Sequence, residues 1–257
     1  MKKAAETVLN KHVAKIYVKP SHACLKMAGL FKTPERVLVF AAHPDDELIG
    51  AGGTICRLHR EDCAVRVVLF SRGGGGLAAS GRAQYEENMI EEVRTREAEK
   101  VAAYLGVEHR ILEIPEVIDR RSVVRRLVAE VRDFKPDMVF THSPNDKHHL
   151  HRAVSECSTE ACWHSMTRAY GDLGEPWRVG TVYFFEVFDL FPNPSMIVDV
   201  TPTFNMKIKA MSLYRSQIRV FPNILKYLRA LAQVRGYLID KPYAEAFVQS
   251  PSVPRAV

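Results

Sequence analysis

The sequence lacks the features that mark secreted, membrane-spanning and disulfide-stapled proteins. Its five cysteines include no CxxC pair, and no apolar run approaches the ~18 residues that a membrane span requires. The first residues, MKKAAETVLNKHVAKIYVK, contain no apolar core of a signal peptide. We therefore expect a cytoplasmic protein with reduced thiols, in which Cys157 and Cys162 share one helix as small core residues.

Charge of one sign is not concentrated along the chain. The 36 lysines and arginines are interspersed with 30 acidic residues, which leaves a net charge of +6. No basic tail or aromatic-interleaved RNA motif accompanies them, so we expect no nucleic-acid partner. The basic stretch 219–238 is partly amphipathic. Such helices mostly pack on their own domain, so we expect no membrane contact either.

What the sequence does contain is an alternation of buried strands and helices. Short apolar, β-branched runs predict strands, and helical periodicity fills the segments between them. The predicted strands are 36–42, 64–70, 109–114, 136–142, 181–187 and 196–200; the predicted helices are 46–59, 85–105, 120–134, 204–215 and 223–234. The pattern predicts an α/β fold with a Rossmann-like, mostly parallel sheet and helices on both faces. We expect an N-terminal arm over 1–33 and one domain over 34–257 with a C-terminal extension.

Histidines and carboxylates gather where predicted strands end. HPDDE (43–47) follows the first strand, and HSPNDKHHLH (142–151) follows the fourth. The carboxyl ends of parallel strands meet at one edge of a sheet, so both segments should face one crevice. His43, Asp46 and one histidine of the second segment would supply the three protein ligands of a catalytic zinc site. Of the adjacent aspartates, one would coordinate and the other would stay free as a base; a simple helix N-cap is the alternative.

A glycine-rich loop, SRGGGGLAASGR (71–82), follows the second predicted strand. It lacks the GK[ST] ending of a P-loop, and it does not follow the first strand, as a dinucleotide-binding motif would. We interpret it as a wall of the active site, in which Ser71 and Arg72 contact the substrate and Arg72 meets an anionic group. A solvent-exposed hinge is the alternative.

Three segments resemble the LmbE-like/PIG-L family of zinc-dependent N-acetylglucosaminyl deacetylases: AAHPDDELIGAGGTI, RTREA (94–98) and PNDKHHLHRAV. The resemblance runs from about Val37 to YAEAF (243–247), and AHPDDE is its most specific part. It implies a Rossmann-like, LmbE-like fold and hydrolysis of the amide of an N-acylated amino sugar. The implied partner is a small-molecule substrate, carried on a nucleotide, a lipid or a thiol. The implied cofactor is Zn²⁺, with Fe²⁺ as the alternative.

Roles follow from this resemblance by motif position. It implies that Asp45 is the general base, and that His148 stabilises the oxyanion or protonates the leaving amine. Arg94 corresponds to a residue near the sugar, in the substrate-binding region. The implied metal ligands are His43, Asp46 and His151.

The sequence departs from the family pattern at Leu150, where an aspartate usually supports the first histidine of the motif. Leu150 has no polar atom that could accept a hydrogen bond from an imidazole and so orient it. Asp146, two residues before His148, remains and is predicted to take over that orienting role. His149 is predicted to face solvent.

Other functions remain open on the sequence. Paired aspartates also hold Mg²⁺, as in metal-dependent phosphoester hydrolases, although the histidines favour zinc or iron. A catalytically silent binding protein would also fit the departure at Leu150. An amidase that acts on a related sugar–thiol conjugate is a further alternative.

Overall fold

The structure, a computed structural model, describes residues 34–74, 84–114 and 119–253. The predicted N-terminal arm and most of the glycine-rich loop lie outside the described residues. Within the described ranges, no helix is both long and apolar enough to cross a bilayer.

Seven strands of the described chain form one sheet, in the order β3-β2-β1-β4-β5-β7-β6. They are β1 (Arg36–Ala41), β2 (Ala64–Leu69), β3 (Glu108–Ile111), β4 (Met138–His142), β5 (Thr181–Phe185), β6 (Met196–Asp199) and β7 (Ala244–Gln249). Strands β1 to β5 pair in parallel, whereas β7 pairs antiparallel with both β5 and β6. The predicted mostly parallel α/β sheet is thereby confirmed.

Helices cover both faces of this sheet. They are α1 (Asp46–Arg60), α2 (Gln84–Leu105), α3 (Arg120–Phe134), α4 (His149–Ser165), α5 (Phe204–Met211), α6 (Arg215–Val220) and α7 (Ile224–Tyr237). Successive residues of β1 point to opposite faces, so Val37 and Val39 enter one apolar core and Leu38 and Phe40 enter the other. Burial on both faces explains why β1 shows an apolar run instead of alternation.

Two further predictions can be compared with the helices. The range predicted for α3 is confirmed: the Asp119 carboxylate accepts from the Ser122 N–H (3.0 Å) at its start, and Lys135 adopts a left-handed φ of 55° at its end. Cys157 and Cys162 are buried on α4, as expected. The predicted helix 204–215 is instead two helices, because the chain turns between Met211 and Arg215.

The end of the chain differs from the sequence-based expectation. Strand β7 was not predicted, and it lies between β5 and β6 inside the sheet. Residues 244–249 are therefore part of the central sheet. The pairing depends on strands more than forty residues away in sequence, which local periodicity does not reveal.

Sheet order places the crevice between β1 and β4. The chain progresses outward from β1 through β2 and β3 in one direction, and from β4 through β5 in the other. Parallel α/β sheets bind ligands outside the strand ends at such a switch point. The segments 43–47 and 142–151, which follow these two strands, therefore meet there.

Candidate functional site

The turn after β1 carries the acidic segment into the crevice. Asp45 precedes α1 with a φ of 122°, a conformation that residues other than glycine rarely adopt. Its carbonyl accepts from the N–H groups of Leu48 and Ile49, and its own N–H donates to Glu47 Oε2 at 3.0 Å. The Asp45 carboxylate caps no N–H group of the helix. The N-cap alternative therefore does not account for this side chain.

Three side chains converge at the ends of β1 and β4. His43 Nδ1 lies 3.1 Å from Asp46 Oδ2. His151 Nε2 lies 3.2 Å from the same oxygen and 3.4 Å from His43 Nδ1. Ligand atoms bound tetrahedrally to zinc at 2.0–2.1 Å are ~3.3 Å apart. The three residues predicted as ligands are thus brought to a spacing that suits a bound metal ion.

The charges around this group favour a cation. Burial alone would raise the pKa of Asp46, but the imidazoles of His151 and His142 hold it well below its usual range. Burial likewise opposes the charged form of His151, yet the carboxylates of Asp46 and Asp146 raise its pKa to about 9. Two carboxylates on either side of one imidazole stabilise positive charge at that position.

His142 is a member of the site that the sequence analysis did not single out. It is fully buried, its Nε2 accepts from the Ala42 N–H (2.9 Å), and its ring stacks on His151 with centroids 4.0 Å apart. Nε2 also lies 3.5 Å from Asp46 Oδ2. Burial lowers the pKa of His142 to about 3, so the ring is neutral. Its position at the carboxyl end of a predicted strand is the sequence signal that could have identified it as a member of the site.

Asp146 supports a different histidine from the one expected. Its Oδ1 lies 3.2 Å from His151 Nδ1, and its carboxylate accepts from the N–H groups of His148 (2.9 Å) and Phe188 (3.1 Å). The expectation that Asp146 orients the His148 ring is therefore corrected, since it contacts His148 only at the backbone. Burial would raise the pKa of Asp146, but these contacts lower it to about 2.

His148 is oriented by the start of α4. Its Nδ1 accepts from the Leu150 N–H at 3.3 Å, which assigns the ring proton to Nε2. Burial and the neighbouring imidazoles of His151 and His43 lower its pKa to about 4, so the ring is neutral near pH 7. His149 is exposed, as predicted, and stacks on His148. Leu150 packs against the apolar core.

Arg94 reaches the site from α2. Its guanidinium donates to the carbonyls of Pro44 (2.7 Å) and Gly73 (2.6 Å), and it lies 3.6 Å from Asp45 Oδ1. A Cβ on Gly73, whose φ is 77°, would lie 2.5 Å from this guanidinium. Arg94 therefore ties together two crevice loops beside Asp45. Its substrate contact remains a prediction.

The site opens into a cavity of about 870 Å³, and Ser71 and Arg72 line it. Ser71 Oγ donates to the Ala42 carbonyl at 3.1 Å, and Arg72 pairs with Glu113. Their substrate contacts remain predictions. The lining of the cavity also has an apolar part that the sequence analysis missed, which includes partly exposed Phe188 and Phe221.

Comparison with known proteins points to one family. Residues 38–162 match the PIG-L family, described as GlcNAc-PI de-N-acetylase. A relative from Rhodococcus erythropolis, named 1D-myo-inositol 2-acetamido-2-deoxy-alpha-D-glucopyranoside deacetylase, is 25% identical over 244 residues. That alignment covers 74% of this chain and 83% of the relative.

Solved structures share the fold. The N,N′-diacetylchitobiose deacetylase from Pyrococcus horikoshii superposes with a TM-score of 0.76 at 25% identity, over 92% of this chain and 93% of that one. GalB, the 4-carboxy-2-hydroxymuconate hydratase from Pseudomonas putida KT2440, superposes with a TM-score of 0.75 at 24% identity. That likeness covers 87% of this chain and 98% of the hydratase, and it concerns the fold alone.

Proposed function

We propose, from the premise that residues 38–162 of this chain form a PIG-L family domain, that the protein is a metal-dependent de-N-acetylase of an N-acetylated amino sugar. One observation carries the proposal. His43, Asp46 and His151 converge at metal-ligand spacing, while the adjacent carboxylate of Asp45 stays outside that group. The deacetylase relatives, whose named substrates contain N-acetylated amino sugars, support the substrate class.

The donor set fits a dication. His43, Asp46 and His151 would hold it, and two imidazole nitrogens with one carboxylate oxygen suit Zn²⁺, with Fe²⁺ as the alternative. When bound, such an ion lowers the pKa of water toward ~7 and polarises a carbonyl oxygen. The same donor set argues against Mg²⁺, which prefers oxygen ligands, and so against the phosphoester alternative.

Asp45 is the proposed general base. Its carboxylate lines the cavity, and burial together with the neighbouring Asp46 raises its pKa well above the usual range despite the nearby Arg94. A carboxylate in that position would accept a proton from an attacking water and deliver it to the amide nitrogen as the C–N bond breaks, so that the product amine leaves neutral.

His148 is the proposed partner of the oxyanion. The ring is neutral, and since Nδ1 accepts from the Leu150 N–H, the proton on Nε2 is free to donate. A fixed donor of this kind stabilises the developing negative charge on the amide oxygen. The ring of His43 lies 5.1 Å away, centroid to centroid, which places His148 beside the proposed ligands.

The test is acetate release from N-acetylglucosamine conjugates by zinc-loaded protein, with carriers that represent an inositol, a second sugar, a nucleotide and a lipid. Asp45→Asn is expected to keep its metal and to lose about 10²- to 10⁴-fold in kcat. Asp46→Asn is expected to lose the metal itself. Normal turnover by Asp45→Asn would contradict the assignment of the base.

The reaction class needs its own control, since a hydratase shares this fold. The same zinc-loaded protein is assayed for water addition to a 2-hydroxymuconate and for release of phosphate from sugar phosphates. Turnover of either substrate without acetate release from any conjugate would refute the deacetylase proposal.

A further inference from the structure

Gln217 reaches the proposed base from a distant part of the chain. It lies on α6, and its side chain is 3% exposed. The amide orientation that satisfies both neighbours donates from Nε2 to Asp45 Oδ2 (3.3 Å) and accepts at Oε1 from Arg94 Nε (3.2 Å). Arg94 in turn lies 3.6 Å from Asp45 Oδ1. The two oxygens of Asp45 therefore face two different donors.

The backbone of Asp45 is held by the same part of the chain. Its N–H donates to Glu47 Oε2, and the other oxygen of Glu47 accepts from the Tyr214 hydroxyl at 2.7 Å. Tyr214 is fully buried and immediately precedes α6. These contacts hold Asp45 at its φ of 122°, which the surrounding structure must enforce.

Without these hydrogen-bonding partners, the carboxylates of Asp45 and Asp46 would compete for the same place beside a bound cation. The group formed by His43, Asp46 and His151 favours any additional carboxylate that could approach a bound cation. A donor on each oxygen of Asp45 keeps that side chain away from the group. A buried, hydrogen-bonded amide is suited to this because it offers a donor to Asp45 without adding a charge.

We propose that Gln217 is a positioning residue that, together with Arg94, fixes the carboxylate of Asp45 outside the metal-ligand group and directs it toward the reacting water. The proposal rests on the proposed function for the role of Asp45 as base. The placement of the side chain rests on the contacts alone.

The first test compares steady-state kinetics of zinc-loaded wild type with Gln217→Met. Methionine keeps the packing volume but offers no donor, so we expect kcat to fall about 10- to 100-fold. KM and metal content are expected to stay within about twofold, because the change affects only the transition state. Gln217→Glu, which places a like charge beside Asp45, is expected to lower kcat at least as much.

Arg219→Met provides the matched control. Arg219 is on the same short helix, its side chain is exposed, and it is not among the residues that line the cavity. The change alters α6 without touching Asp45 or Gln217, so its kcat is expected to stay within about twofold of wild type. Equal losses in Arg219→Met and Gln217→Met, or normal kcat in Gln217→Met, would overturn the proposal.

A second measurement does not depend on activity. Crystal structures of zinc-loaded wild type and Gln217→Met are compared at Asp45. We expect one position of the carboxylate in wild type, between Arg94 and Gln217, and a rotated or divided position in the variant. An unchanged carboxylate in the variant would overturn the positioning role. Absence of acetate release by wild type would instead refute the proposed function while leaving this comparison decisive.

Discussion

At the scale of single residues, two neighbouring aspartates have opposite electrostatic surroundings. Asp46 faces three imidazoles, and its pKa is held well below its usual range. Burial and Asp46 raise the pKa of Asp45, although Arg94 works against this. Asp45 adopts a φ of 122°, and its carboxylate lies beside Arg94 and Gln217. One residue step thus separates a proposed ligand from a proposed base.

Asp146 provides the first prediction at this scale. Asp146→Asn removes the negative charge that lies 3.2 Å from His151 Nδ1 while keeping the side-chain shape. We expect zinc affinity to fall about 10- to 100-fold, as measured by competition with a chelator. Asp189→Asn is the control. The Asp189 carboxylate accepts from Ser143 Oγ, so this substitution removes no charge beside His151. Equal affinities of Asp146→Asn and wild type would contradict the role given to this carboxylate.

His109 on β3 gives a prediction about pH and stability. Burial lowers its pKa below the ordinary value of 6.5, so the unfolded chain takes up this proton first as the pH falls. The contribution of the neutral ring to the free energy of unfolding is fully present above pH 6.5. It is lost as the pH falls from 6.5 toward the lower pKa that the ring has in the folded protein. Urea unfolding from pH 8 to pH 5 should show wild type losing stability relative to His109→Gln. Parallel curves for the two proteins would contradict this.

At the scale of elements, the placement of α1 fixes the site, because the helix begins at Asp46. The helix approaches its neighbours closely at two glycines. A Cβ on Gly50 would lie 2.2 Å from Phe185 Cδ2, and one on Gly53 would lie 2.8 Å from Val200 Cβ. These distances leave no room for a side chain. The helix is therefore locked against β5 and the end of β6.

A buried ion pair also holds α1. Glu245 of β7 accepts from the N–H groups of Gly53 and Thr54, and Lys207 of α5 donates to Glu245 at 2.6 Å and to the Ile49 carbonyl at 2.9 Å. Both charged side chains are nearly inaccessible to solvent. The pair joins three elements around the middle of α1.

Breaking this pair from one side should be costly. Lys207→Met leaves the Glu245 charge buried without its partner, so we expect the free energy of unfolding to fall by about 3–5 kcal/mol in urea titrations. Lys226→Met on α7 alters an exposed lysine and is expected to change stability by less than ~0.5 kcal/mol. Similar values for the two variants would show that the buried pair does not stabilise α1.

At the scale of the whole molecule, the site draws on distant parts of the chain. His43 and Asp46 follow β1, His151 lies in the first turn of α4 after β4, and Gln217 lies on α6. Sheet order brings the first two segments together at the switch point. The final strand, β7, completes the side of the sheet against which α1 packs.

Truncation tests this dependence on the end of the chain. A chain that stops after Tyr243 lacks β7, which pairs with both β5 and β6 and carries Glu245. We expect this chain to aggregate or to remain unfolded by circular dichroism and size-exclusion chromatography, because two strand partners lose their backbone hydrogen bonds. A chain that stops after Ser252 keeps β7 and is expected to fold. A folded, soluble shorter chain would contradict the prediction.

Much of the site could be predicted from the sequence because its signals are local. An apolar run that ends at HPDDE places His43 and Asp46 after a buried strand, and the rule for parallel sheets places His151 at the same edge. The orienting partner of His148 could not be predicted in this way. The Leu150 N–H fills that place, while Asp146 turns to His151.

The sequence by itself determined the α/β class, the main strands and helices, and the crevice in which histidines and carboxylates meet. Burial periodicity and strand-end chemistry are properties of short segments, which a sequence displays directly. Only the tertiary structure decided that β7 enters the sheet, that His142 supports His151, and that Gln217 holds Asp45. Those contacts join residues from separate elements, and their distances are set by packing between elements, which no local pattern records.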